Sequence, residues 1–142
     1  MMTGKELLPL LLKTVQLGQT AIRSVLDTVM DLSFRGILLS QLRELETIET
    51  EAHSIATRRG WDLREPDPAT TFLIRKWIRL RLLGNRFEST ISAMLIRRNT
   101  TGMIHVLQGL HQLGDGDPRI RILCQKLLDC QRAGIHQMQR FL

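Results

Sequence analysis

The chain has 142 residues, 43% of them hydrophobic and 24% charged, which is enough apolar material for one packed domain and too much for a disordered tail. Aromatic residues make up 4%, there is no Tyr, and only 4 Pro interrupt the chain, a balance that favours helices over strands. The formal charge is +6. No stretch approaches the ~18 uninterrupted apolar residues of a membrane span.

Thr3-Gly4-Lys5-Glu6 is a capping-box pattern and opens the first predicted helix, about 4–29. Leu8, Leu11, Val15, Gly18, Ile22, Val25 and Val29 recur at three- and four-residue steps, the stripe of a core-facing helix. Pro9 falls in the first turns, where a missing donor does little harm. The leucine run around it is too short for a secretory core, and no small-residue cleavage site follows. Asp31 or Ser33 restarts the chain, and a second helix, 33–59, ends at Gly60. Its stripe is Leu38, Leu42, Leu45, Ile48, Ala52 and Ile55. So short a turn makes the two helices antiparallel neighbours.

Asp67-Pro68 caps and begins a shorter helix, 68–83. Asn85 to Glu88 repeats the cap-plus-Glu spacing and starts a helix over 86–113. Gly114 to Pro118 is the strongest turn signal in the chain, and a last helix spans 118–141 with Ile120, Cys124, Leu127, Ile135, Met138 and Phe141 inward. The expected architecture is therefore all-α. It is one domain over 1–142, a four-helix bundle of two hairpins joined by a long crossover that holds the short helix. That order of connections is the ferritin-like one.

The second half carries a resemblance. Met94-Leu95-Ile96, Thr100-Thr101-Gly102-Met103 and the tail from Lys126 to Leu142 resemble small, uncharacterised bacterial proteins of ferritin-like four-helix-bundle type, over residues 84–142. The resemblance implies a fold, and bundles of that kind often bind metal. It brings no activity with it.

A ferritin-type di-metal centre needs an inward Glu from each of two helices and a Glu-x-x-His from each of the other two. The candidate ligands are Glu46, Glu49 and His53 on the second helix and Asp129 and His136 on the last. The first helix has its acids only near its ends, and the 86–113 helix holds only Glu88, so the constellation is incomplete. His105 and His111 read as solvated helical histidines. Cys124 and Cys130 are displaced by about 9 Å along one helix, too far to bridge, and read as reduced thiols of a cytosolic chain. No nucleophile with an orienting base and no phosphate loop is visible, so no enzyme activity and no cofactor are expected.

The basic excess is concentrated. Between Arg58 and Arg86 eight basic residues stand against three acids. The 68–83 helix is its centre, and its expected interaction surface is Phe72, Arg75, Lys76, Trp77, Arg79, Leu82 and Leu83. Leu73, Trp77 and Leu80 would pack on the bundle, leaving Phe72, Leu82 and Leu83 on a second apolar side. The plainest reading has the helix capping the bundle flank, with its arginines reaching to water. The sharper readings are a homodimer or another protein partner, or an anionic membrane surface. Nucleic acid is disfavoured, because the stretch has few stacking aromatics. The function expected is that of a non-catalytic bundle acting through association, with metal binding and membrane binding as alternatives.

Overall fold

A computed structural model describes residues 2–64, 67–84 and 87–142. The described residues form five helices and no strand: α1 Gly4–Val25, α2 Leu32–Arg59, α3 Pro68–Leu82, α4 Glu88–Leu113 and α5 Pro118–Met138, the last followed by a 3-10 turn over Gln139–Phe141. The protein is all-α.

The ends of the helices are set by local chemistry. The Thr3 hydroxyl accepts from the Glu6 amide at 3.3 Å and donates to the Glu6 carboxylate at 3.1 Å, so the capping box forms. α1 stops four residues short of the expected Val29. The guanidinium of Arg35 on the next helix takes the carbonyls of Leu26 and Val29, which removes the acceptors a continuing helix would use. Val29 nevertheless stays in the core. Asp31 caps α2 by accepting from the Phe34 amide at 2.9 Å. At the other end Gly60 turns left-handed (φ 68°), and the Trp61 amide closes on the Ala56 carbonyl at 2.8 Å. Asp67 caps α3 through the Ala69 amide, with Pro68 in its first turn. α4 begins at Glu88, two residues later than expected, and Phe87 holds its cap position without a side-chain bond. The expected Asn85 cap lies outside the described residues. α5 likewise ends at Met138 rather than 141, its final residues tightening to 3-10 geometry as helix ends often do.

α1 packs on α2 and α4, and α5 packs on the same two helices. Three links fix direction. The Met2 amide donates to the Gln112 carbonyl (3.3 Å), the Asp31 amide to the Glu88 carboxylate (3.2 Å), and Arg59 pairs with Asp117. Each of the four long helices therefore runs antiparallel to its two long neighbours. The end of α2 lies far from the start of α4, so the connection must return along the helices, and α3 does so on the flank of α1.

The core is one continuous cluster fed by all five helices. Phe34, Leu7, Leu8, Leu11, Leu38, Ile91, Leu123 and Leu127 are sealed from solvent within it. Phe34 stacks on Phe141 with ring centroids 4.4 Å apart, which binds the start of α2 to the C-terminal turn.

α3 corrects one expectation. Its inward stripe is Ile74, Ile78 and Leu82, about 100° round the helix from the expected Leu73, Trp77 and Leu80. Leu82, expected on the interaction surface, is buried. The two stripes are equally apolar, and Arg81 flanks both. The observed one places plain aliphatics against α1, whereas burying Trp77 would require a partner for its indole N–H.

Candidate functional site

With Ile74, Ile78 and Leu82 facing α1, the rest of α3 faces out. Phe72, Leu73, Trp77, Leu80 and Leu83 are 48–65% exposed, a ridge of large apolar side chains along one helix. Arg75, Lys76, Arg79 and Arg81 are exposed among and beside them. Lys76 lies over the Phe72 ring at 5.9 Å and Arg81 over the Trp77 ring at 5.1 Å, so two of the cations share the ridge rather than oppose it. Leu73 and Leu80, expected against the bundle, face out and enlarge this surface, and Trp77, expected both against the bundle and on the surface, is exposed. A smaller exposed group, Met30, Leu32 and Phe87, lies where α2 and α4 begin.

The metal candidates do not converge. Glu46 pairs with Arg23 at 3.2 Å, and Glu49 accepts from Gln16 (3.2 Å) and Gln19 (3.5 Å), so α1 supplies donors where a metal centre would need acids. His53 is half-buried on α2. Asp129 sits at the surface beside Arg132 (3.7 Å), and His136 is exposed. Among the described residues no three His, Cys, Asp or Glu come within reach of a common ion. Glu51, like Glu46, already has an internal cation, Lys126 at 2.9 Å.

The interior holds a feature that sequence reading missed. A cavity of about 290 Å³ opens between the long helices, with Trp77 and Arg81 of α3 among its lining. Its deep wall is Gln41, Leu45, Met94, Cys130 and Gln131, all buried. Its mouth is Trp77, Arg81, Arg97 and His105, all exposed, with Arg98 half-buried between mouth and floor. Desolvation lowers the pKa of the Arg98 guanidinium from its ordinary value. Among the lining residues there is no carboxylate.

Two glycines make room for the glutamines. A side-chain carbon on Gly134 of α5 would stand 2.8 Å from the Gln41 carboxamide carbon and 3.0 Å from Asn99 Nδ2. One on Gly102 of α4 would stand 2.6 Å from Gln131 Nε2. Each carboxamide is thus seated on bare backbone of a neighbouring helix. Gln41 and Gln131 are both 6% exposed, and among the described residues Gln41 Nε2 and Gln131 Oε1 have no hydrogen-bond partner. Buried polar groups are nearly always paired, so two left unpaired on neighbouring helices stand out. The signal was present in the sequence: Gln41 falls on the α2 stripe between Leu38 and Leu45, and Gln131 on the α5 stripe between Leu127 and Met138.

Cys124 and Cys130 are unbridged and buried. Burial pushes both thiols up to about 12, and at Cys130 the Glu44 carboxylate adds to the rise. Neither is an activated nucleophile. Comparison with protein-family models, with curated proteins and with solved structures finds no match, so a functional reading rests on these side chains alone.

Proposed function

We propose that the chain is a non-catalytic four-helix bundle with ferritin-like connections that works in the cytoplasm by pairing with a second copy of itself through the outward ridge of α3. One observation carries this reading: five large apolar side chains exposed along a helix whose only fully buried residues are Ile78 and Leu82. Monomers seldom leave such a ridge uncovered. A twofold pairing would lay ridge on ridge, and the commonest closed assembly is a twofold dimer. Arg75 and Arg79 would stay at the margin, in water, where they desolvate little.

Sedimentation velocity at micromolar concentration tests the pairing. The expected result is a dimer that Phe72→Glu/Leu83→Glu converts to a monomer with unchanged helicity, since both side chains are exposed. A monomeric native chain, or a dimer indifferent to the double change, overturns the proposal. A basic ridge carrying Trp and Phe also suits an anionic membrane surface. Flotation with phosphatidylserine vesicles, lost in Arg75→Glu/Arg79→Glu, would favour that reading instead.

A further inference from the structure

The interior cavity has the composition of a binding site rather than of a packing defect. Defects in helical cores are lined by aliphatic groups and stay dry. This one has an apolar wall from Leu45 and Met94, the polar residues Gln41 and Gln131 in its lining, and the guanidinium groups of Arg81, Arg97 and Arg98 with no carboxylate among the lining residues. We propose that it binds a small organic anion: a molecule with an acidic group on an aromatic body.

The two parts of such a molecule match the arginines and the apolar wall of the lining. The acidic group would meet the arginines, whose forked donors suit a carboxylate or sulfonate and meet no competing acid in the lining. Arg98 is the chief partner, because it is half out of water and, among the described residues, forms no ion pair. The rings would lie against Met94 and Leu45, with Trp77 at the entrance. About 290 Å³ is near the lower limit for ligand pockets and excludes nucleotides and long lipids. Gly102 and Gly134 are part of the site, since any side chain there would push a glutamine from its seat.

The mouth shares Trp77 and Arg81 with the α3 face, whereas Phe72 and Leu83 do not line the cavity, so the Phe72→Glu/Leu83→Glu variant separates binding from pairing. The probe is 8-anilinonaphthalene-1-sulfonate, an aromatic anion with one N–H, titrated by calorimetry. Its neutral relative N-phenyl-1-naphthylamine is the control. The expected result is one anionic probe per chain with a dissociation constant on the order of 10 µM. The control should bind at least tenfold more weakly. Arg98→Met should weaken the anion at least tenfold. Arg97→Met should weaken it several-fold and leave the melting temperature of the free protein unchanged, because Arg97 is exposed and, among the described residues, forms no ion pair. Loss of binding without loss of stability is what a merely structural arginine would not give, and either variant that keeps native helicity suffices. Phe72→Glu/Leu83→Glu should leave binding unchanged. The proposal is overturned if the native chain binds no probe at one per chain. It is equally overturned if the neutral control binds as well, or if binding survives the Arg98 and Arg97 changes or is lost in Phe72→Glu/Leu83→Glu.

Discussion

Arg59 and Asp117, 58 residues apart, form a two-pronged ion pair, Nη1 to Oδ2 at 2.5 Å and Nη2 to Oδ1 at 2.9 Å, which ties the end of α2 to the start of α5. Gly4 lies directly beneath, and a side chain there would collide with the Asp117 carboxylate. Asp117 itself is left-handed (φ 49°), a conformation that Asp and Asn accept more readily than other side-chain-bearing residues. Three helix ends therefore meet on one carboxylate.

The pair gives stability a defined dependence on pH. The Arg59 hydrogen bond holds the Asp117 carboxyl below its ordinary value, with the Arg59 charge acting in the same direction. A group whose pKa falls on folding contributes fully above its unfolded value, and that contribution disappears as pH drops through the folded one. Asp117→Asn keeps the left-handed backbone and removes the charge. It should cost about 1 kcal/mol at pH 7, the scale of a partly exposed pair. In urea titrations from pH 7 down to pH 3 the gap between native and variant midpoints should close at the acid end. A gap that stays constant would mean that the carboxylate contributes only through shape.

Glycines in this chain divide by what surrounds them. A side-chain carbon on Gly36, exposed on α2, would meet nothing within 4 Å. Gly36→Ala should then add about 0.5–1 kcal/mol by restricting the unfolded chain and favouring the helix. Gly109 is where α4 presses on α1, and a carbon there would stand 2.5 Å from Leu7 Cδ1, itself sealed in the core. Overpacking of that kind costs about 1–3 kcal/mol, more than the helix gain, so Gly109→Ala should lower the urea midpoint. Equal effects from the two changes would contradict the close approach of α1 and α4.

Where the sequence was legible, the reason is local. The stripes of α1 and α2 run through many turns with polar residues opposite, and Thr3, Asp31, Gly60 and Asp67 cap by short-range bonds that need no tertiary context. α3 was read with the wrong face inward because two apolar stripes compete on a short helix, and only its contact with α1 decides between them. The end of α1 was misplaced because Arg35, on another helix, takes the carbonyls. The cavity is not legible in the sequence because its buried polar residues are uncharged. Gln41 and Gln131 carry no charge, and their significance depends on Gly134 and Gly102, glycines of neighbouring helices that no periodicity links to them.

Isoleucine 22 tests the core directly. Ile22 is buried in the last turn of α1. Ile22→Asp would place an uncompensated carboxylate there, a cost of roughly 3 kcal/mol or more. Loss of cooperative thermal unfolding by circular dichroism is expected, and a variant melting like the native chain would show that the stripe is not core.

The two thiols give a chemical measure of the cavity. Both are held at about 12, so at pH 8 only about one thiol in ten thousand is thiolate, and alkylation of the folded protein should be slow. Its rate should keep climbing about tenfold per pH unit from 7 to 9, without the plateau that a low-pKa cysteine would show. The two should still differ. Cys130 lines the cavity and can be reached by a small reagent through its mouth, whereas Cys124 is 0% exposed and does not line it. Pulse labelling with methyl methanethiosulfonate, followed by peptide mass spectrometry, should therefore find Cys130 modified well before Cys124. In urea the two should react alike, since only the fold separates them. An anionic probe bound in the cavity should slow Cys130 and leave Cys124 unchanged. If Cys124 reacts first, or both react together without denaturant, the path from the Trp77–Arg81 mouth to the glutamine floor is not open to small molecules.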